Sequence, residues 1–321
     1  MSIQAEKVTK IYKMIDNENR NGLKQIFAPR YKYIKAVDEI SFQVRGGEFV
    51  GYIGLNGAGK STTLKMLSGI VTPTSGEVIV NGLSPSKNRK TNLNQIGVVF
   101  GQRSHLLWDL PVIDTFDLYY KMYNIQNKSL KDILFEFNKI LDISDFINQP
   151  ARQLSLGQKM KANILIALMH NPKILFFDEP TIGLDVLSKD SIKKILKEIN
   201  KSGTTIILTT HDMYDIQDLC NRIILIDKGT IEFDGLKDNF LNKYSAESVV
   251  KVTFLNNSDE IQHPFFTKLN DDAKVKMYSF DKSVISELDA IKHIVNSYNI
   301  IDIKIEYITL EHVVKKCFSE Q

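Results

Sequence analysis

The chain has 321 residues, 43% hydrophobic and 25% charged, with 41 Lys and Arg against 38 Asp and Glu and a formal net charge of +3. This composition supports one large or two modest domains and excludes a disordered or fibrous protein. The near balance of charge supplies no general field for nucleic acid, so any anion must be bound locally.

Cys220 and Cys317 are too few for a disulfide framework, and neither has metal-ligand spacing; both read as reduced thiols. The start, Met1 to Val8, lacks a basic stretch followed by an apolar one, so a secretory leader is not expected. Apolar runs such as Ile164 to Met169 fall far short of the roughly 18–20 residues that cross a bilayer. Work at a membrane would need another chain to span it.

Between Tyr12 and Ala36 lies a segment with Lys13, Arg20, Lys24, Arg30, Lys32 and Lys35 against Asp16 and Glu18, and no strand pattern. It reads either as a solvated loop or as a docking element for anionic headgroups or a membrane partner. Ala36 to Val44 alternates in polarity and Gly46-Gly47 turns it into the next strand, which predicts a small antiparallel layer. Phe49–Ile53, Ile96–Phe100, Ile174–Phe177 and Thr205–Thr209 read as strands, most of them apolar on both faces, alternating with helical patterns, as in a largely parallel sheet covered on both sides.

Gly54-Leu-Asn-Gly-Ala-Gly-Lys60-Ser61 fits G-x-x-x-x-G-K-[ST] between an apolar strand and a helical run with Leu64, Leu67 and Ile70 on one face. In such a loop the backbone N–H groups of Gly54, Asn56, Gly57, Ala58, Gly59, Lys60, Ser61 and Thr62 surround phosphate. The Lys60 side chain reaches the β- and γ-phosphates, and the Ser61 hydroxyl can ligate Mg²⁺.

Val112 to Leu141 has helical spacing, with Phe116, Tyr119, Tyr120 and Tyr123, then Ile133, Leu134, Phe137, Ile140 and Leu141, read as packing. The strand Ile174–Phe177 ends in Asp178 and Glu179, one placed to hold Mg²⁺ through its water shell and the next to polarise an attacking water. A hairpin spans Ile223–Phe233. A composition change near residue 241 marks a second domain, with strands at 249–254, 273–278 and 301–307 and helices at about 284–296 and 310–318.

These pieces resemble the nucleotide-binding subunit of ABC transporters over about residues 3–235. Leu154-Ser-Leu-Gly-Gln158 resembles the signature loop, with Leu156 where the family has glycine; Gln102 resembles the Q-loop glutamine; Gly183-Leu184-Asp185 the D-loop; and His211 the switch histidine. Tyr12 resembles the aromatic that stacks on adenine, with Tyr31 and Tyr33 as alternatives. Ser155 stands where a helix would start, so its hydroxyl and the amides near Gly157 can take phosphate oxygen.

The resemblance implies an α/β P-loop NTPase fold: a mainly parallel sheet core, an antiparallel β-subdomain and a helical subdomain, followed by a small α+β C-terminal domain. The ATPase domain would span 1–240, with the basic insertion at about 13–35 and the helical subdomain at about 103–170; an accessory domain would span 241–321.

It further implies ATP and Mg²⁺ as cofactors, with Ser61, Gln102 and Asp178 at the metal and Glu179, His211 and Gln102 in catalysis. Ser155, Gly157, Gln158 and Asp185 would bind nucleotide across a head-to-tail dimer or a paired ATPase subunit. The chain would sit at the cytoplasmic face of a membrane as a peripheral subunit. Trp108, the one tryptophan, lies where the family receives the permease's coupling helix, or is buried within the helical subdomain.

The insertion and the tail Ile303–Val314 resemble exporters paired with ABC-2-type permeases. A soluble ABC ATPase acting on nucleic acid or protein assembly is the alternative. One P-loop, no sustained heptads and balanced charge speak against it, and no nucleic acid partner is expected. Glu179 and His211 speak against a regulator without turnover, and Asn127-Lys128-Ser-Leu130 lacks the aspartate of a GTPase.

Overall fold

The computed structural model describes residues 2–15, 31–101, 104–210, 212–244, 247–256, 259–270, 272, 274–282 and 284–306. The chain divides between Gly235 and Leu236 into two compact units.

In the first unit, β1 (Ile3–Ile15) and β2 (Tyr31–Val44) pair antiparallel, in a register running from Ile3↔Val44 to Ile15↔Tyr31. The basic insertion is therefore not patternless at its two ends. Residues 13–15 and 31–35 are strand, because each arm satisfies its backbone groups across the pair although neither has a buried face to reveal it in sequence. Residues 16–30 of the insertion lie outside the described residues.

β3 (Phe49–Ile53), buried at every position, feeds α1 (Lys60–Leu67). Leu64 and Leu67 are buried as their spacing requires, but Ile70 is exposed. The helix has already ended, and Gly69 at φ 77° turns the chain off the helical face. β4 (Ser75–Val80) pairs with β1, giving the three-stranded antiparallel sheet β2-β1-β4.

After α2 (Arg89–Leu93) and β5 (Ile96–Phe100) comes a helical stretch: α3 (Val112–Met122), α4 (Leu130–Leu141), a 3₁₀ turn at Ala151–Gln153 and α5 (Leu156–Leu168). Phe116, Ile133 and Leu141 are buried there, whereas Ile140 is exposed, since helical spacing names a face but not what covers it. Then follow β6 (Ile174–Asp178), α6 (Val186–Lys201), β7 (Thr205–Thr210), α7 (Met213–Leu219), β8 (Arg222–Asp227) and β9 (Thr230–Leu236).

The central sheet has the order β5-β6-β7-β3-β8-β9, and its pairs β5–β6, β6–β7, β7–β3 and β3–β8 are parallel. Ile3, Val8, Val37 and Phe42 of the antiparallel sheet pack with Val50, Tyr52, Leu64 and Ile207 of the central layer in one core. α5 packs on β5 and α6, and α7 on β3 and β7.

The second unit contains α8 (Lys237–Tyr244), β10 (Glu247–Phe254), β11 (Thr267–Lys268), β12 (Val275–Asp281), α9 (Glu287–Ser297) and β13 (Ile300–Glu306). Its antiparallel sheet, ordered β11-β12-β10-β13, packs Val250, Phe254 and Tyr278 against Ala290 and Ile294 of α9. The helix expected at 310–318 lies outside the described residues. Among the described residues no helix is long and apolar enough to cross a membrane.

Candidate functional site

The loop between β3 and α1 is built from its glycines. Gly59 holds φ 110°, and a Cβ there would stand 2.5 Å from the Ala36 carbonyl oxygen, so only glycine lets the loop pass this close under β2. Thr63 N–H then bonds the Gly59 carbonyl at 2.9 Å and opens the first helical turn. Asn56 and Gly57 are exposed at the loop's tip, Ala58 is buried beneath it, and Thr62 is half-buried.

The Lys60 ammonium donates to the Gly54 carbonyl at 2.7 Å and to the Leu55 carbonyl at 3.0 Å. Burial draws its pKa below the ordinary value, with the Glu179 and Asp178 carboxylates pulling it back up. A cation held this way is poised for a phosphate, which offers stronger acceptors than the loop's own carbonyls.

Asp178 joins this loop across 117 residues of sequence. Ser61 Oγ donates to its Oδ1 at 3.1 Å, and Thr209 Oγ1, from the end of β7, donates to the same oxygen at 2.6 Å. Hydroxyl and carboxylate oxygens are the hard donors that Mg²⁺ prefers, so Ser61 and Asp178 fit that ion.

Glu179 follows with φ 55°, a left-handed conformation uncommon for a side-chain-bearing residue. The fold enforces it: Glu179 N–H bonds the Thr209 carbonyl at 2.9 Å, and Gly101 N–H bonds the Asp178 carbonyl at 2.7 Å. A Cβ on Gly101 would come within 2.0 Å of the Glu179 carbonyl oxygen. Ser61, Gly101, Asp178 and Glu179 together line a cavity of about 330 Å³. A larger one of about 520 Å³, bordered by Tyr123, Lys128, Glu136 and His170, brings none of the expected site residues together.

Ser155 is the N-cap of α5 in a full capping box: its Oγ accepts from Gln158 N–H at 3.2 Å, and Gln158 Oε1 accepts from Ser155 N–H at 2.9 Å. Gly157 lies against α6, where a Cβ would meet Ser188 Oγ at 2.5 Å; Leu156, the departure from the family pattern, is exposed. Asp185 caps α6 by accepting from Ser188 N–H and Oγ, at 2.9 and 2.6 Å, and those bonds hold its pKa below the usual carboxylate value. The segments around Ser155 and Asp185 thus adjoin each other, and none of Ser155, Gly157, Gln158 or Asp185 lines the cavity beside Ser61 and Asp178.

Tyr12 sits half-buried on β1 opposite Ile34, with Lys10 Nζ 5.3 Å from its ring centre. Tyr31 and Tyr33 are more exposed and lie farther out on the same pair of strands. Gln102 and His211 lie outside the described residues. Trp108 is 60% exposed, so burial within the helical layer is excluded; its ring carries Lys159 Nζ 5.0 Å away.

Sequence reasoning missed four residues of this site. Gly101 and Thr209 shape Asp178 and Glu179, and a buried pair, Thr181 and Asp215, ties the turn after Glu179 to α7. The signal for Thr209 was a polar residue closing an otherwise apolar strand; Asp215 gave none beyond being an acid in a helix.

Residues 37–182 match the family model for ABC transporters. The chain is 38% identical to the methionine import ATP-binding protein MetN of Carboxydothermus hydrogenoformans, across 68% of this chain and 67% of that protein. It is 34% identical to the linearmycin resistance ATP-binding protein LnrL of Bacillus subtilis, across 68% and 70%. Identity to the ATP-binding protein NatA of the same organism is 29%, across 70% and 91%.

Among solved structures, a dimeric bacterial ABC transporter cassette superposes with a TM-score of 0.61 at 30% identity, covering 73% of this chain and 98% of that one. A dimeric post-hydrolysis cassette bound to ADP and phosphate matches with the same score and coverage at 27% identity. With the glycine-rich loop, the adjacent carboxylates and the capped helix at Ser155 in place beside these likenesses, the chain belongs to the ABC transporter ATP-binding proteins, ATPases that drive transport.

Proposed function

We propose that this ATPase subunit powers export through a separate ABC-2-type permease, working as a head-to-tail pair of ATP-binding subunits peripheral to the cytoplasmic face of the membrane. The observation that carries the enzymatic half is the convergence of Ser61, Asp178 and Glu179 on one cavity, with the Lys60 ammonium held on the adjoining loop within the electrostatic influence of both carboxylates. The P-loop amides and Lys60 bind the β- and γ-phosphates of ATP, and the N-terminus of α1 adds a favourable dipole. Ser61 and Asp178 would hold Mg²⁺, which would neutralise negative charge on the triphosphate when bound.

Glu179, aimed by its left-handed backbone, polarises the attacking water. Gln102 and His211 would complete the γ-phosphate end, and Tyr12 would stack on adenine. Ser155, Gly157 and Gln158 do not reach their own P-loop cavity, which supports their closing over the nucleotide of a second subunit, with Asp185 beside them.

Relatives named for import and for resistance are both similar to this chain. Export is favoured by the resemblance of the insertion and tail to exporters. The exposed ring of Trp108, with Leu110 also exposed nearby, offers an apolar surface for the permease.

Affinity purification of the full chain from detergent-solubilised membranes tests this reading. A polytopic partner of the six-helix ABC-2 type is expected to co-purify, and Trp108→Ala with Leu107→Ala should loosen it while leaving isolated ATPase activity unchanged. Recovery of an importer-type permease would overturn the direction, and recovery of ribosomes or DNA would favour the soluble alternative.

A further inference from the structure

The antiparallel sheet β2-β1-β4 is three strands wide only near its base. β4 pairs with β1 as far as Thr9↔Ser75, and the loop before it makes two last contacts, Thr74 Oγ1 accepting from Ile11 N–H at 3.0 Å and Lys10 Nζ reaching the Thr72 carbonyl at 2.8 Å. Farther out, from Tyr12↔Ile34 to Ile15↔Tyr31, β1 and β2 have no other strand partner among the described residues. A lone two-stranded ribbon is marginally stable in water, so its side chains should be polar unless something covers them.

They are not polar. Met14, Ile15, Tyr31, Tyr33 and Ile34 are exposed by 42–65%. Directly opposed residues share a face, so Met14 and Ile34 project to one side and Ile15, Tyr31 and Tyr33 to the other. Each face also carries a lysine, Lys32 on the first and Lys13 on the second, where Lys13 Nζ lies 3.7 Å from the Tyr31 ring centre. The eight residues 12–15 and 31–34 contain no acid.

We propose that the outer end of this ribbon, beyond the Tyr12↔Ile34 pair, docks on anionic lipid, inserting residues 13–15 and 31–33 into the headgroup zone of the membrane. A groove or flat surface on a protein covers one face of a ribbon and leaves the other wet. A fluid interface surrounds both faces, as this distribution of apolar side chains requires. Tyrosine rings settle at headgroup depth, and lysine stems lie along apolar surface while their ammonium groups reach lipid phosphates. Two lysines without an acid give the ribbon the sign that an anionic leaflet attracts. Lipid docking by this ribbon needs no particular permease or transport direction.

The test is flotation of the purified full chain with vesicles of phosphatidylcholine mixed with phosphatidylglycerol, against pure phosphatidylcholine. The wild type is expected to float with the mixed vesicles only, and less at about 1 M salt, where the Debye length falls to about 3 Å. Lys13→Glu with Lys32→Glu should weaken flotation roughly tenfold or more. Met14→Ser with Ile15→Ser should weaken it too but leave its salt dependence.

ATP turnover, unchanged in both variants, certifies that they fold and separates failure of this proposal from failure of the ATPase reading. Flotation that is absent, equal on neutral vesicles, or untouched by either variant overturns the proposal. Membrane retention seen only when a permease is present does so as well, since the occupant is then protein.

Discussion

Thr181 Oγ1 donates a hydrogen bond of 2.5 Å to Asp215 Oδ2, joining the turn that follows Glu179 to α7. Asp215 is fully buried, and its other oxygen pairs with Lys193 Nζ of α6 at 3.1 Å. Lys189 adds a second tie from α6 to the N-cap of α7, at 2.8 Å to Asp212. The turn after Glu179, α6 and α7 are therefore tied into one polar network. Thr181→Val should leave the KM for ATP unchanged and lower kcat about tenfold, since small misplacements of a reacting group are costly. Thr181→Ser, which keeps the hydroxyl, should restore kcat; steady-state kinetics decide, and a valine variant of normal kcat would show the bond to be structural only.

Lys60→Ala removes the one side-chain cation that the loop places at its carbonyls. ATP affinity should fall at least tenfold in a nucleotide titration, because a charge-assisted hydrogen bond to phosphate is lost. Circular dichroism should be unchanged, as Leu64 and Leu67 still anchor α1.

Glu179→Gln keeps the shape of the side chain and leaves the P-loop intact. Binding of ATP should persist while turnover drops by about two orders of magnitude or more, and dimers should accumulate with ATP in light scattering. Near-normal hydrolysis would move the water-activating role to another residue.

Ser155→Arg should abolish hydrolysis by homodimers while the monomer still binds ATP. Losing the cap costs about 1 kcal/mol, visible as a small fall in melting temperature. Mixing Ser155→Arg with Lys60→Ala subunits assembles one composite site with both intact elements, so partial turnover is expected from the mixture and from neither variant alone. Full activity of Ser155→Arg by itself would sink the head-to-tail arrangement.

Burial holds the His170 imidazole below its ordinary pKa of 6.5, against a hydrogen bond from Nε2 to the Ile96 carbonyl at 2.9 Å. Its buried Nδ1 has no hydrogen-bond partner among the described residues, so a second proton there finds no acceptor. The unfolded chain binds that proton more readily. The neutral ring therefore contributes stability that is fully present above pH 6.5 and lost as pH falls through the lower folded value. The melting temperature should drop between about pH 7.5 and pH 5.5, and His170→Gln should shrink the drop. His105 is shifted the same way by burial, so part of the drop remains.

Local chemistry made much of this legible in sequence. The glycines, lysine and serine of the P-loop act within eight residues, the capping box of Ser155 and Gln158 within four, and β3, β5, β6 and β7 are apolar on both faces because the sheet is covered on both sides. Each is a short-range consequence of backbone geometry or burial.

Tertiary structure decided what those pieces do together. The order β5-β6-β7-β3 brings the carboxyl end of β6 beside those of β5 and β7, so that Asp178 meets Thr209 and Ser61 and the turn at Glu179 closes on Gly101. No spacing in the chain encodes those distances. The buried bond from Thr181 to Asp215 spans 34 residues, and an acid on a helix looks the same in sequence whether it is solvated or enclosed. The ribbon at residues 12–15 and 31–34 escaped for the opposite reason: both its faces are exposed, and a strand announces itself through alternation only when one face is buried and the other is not.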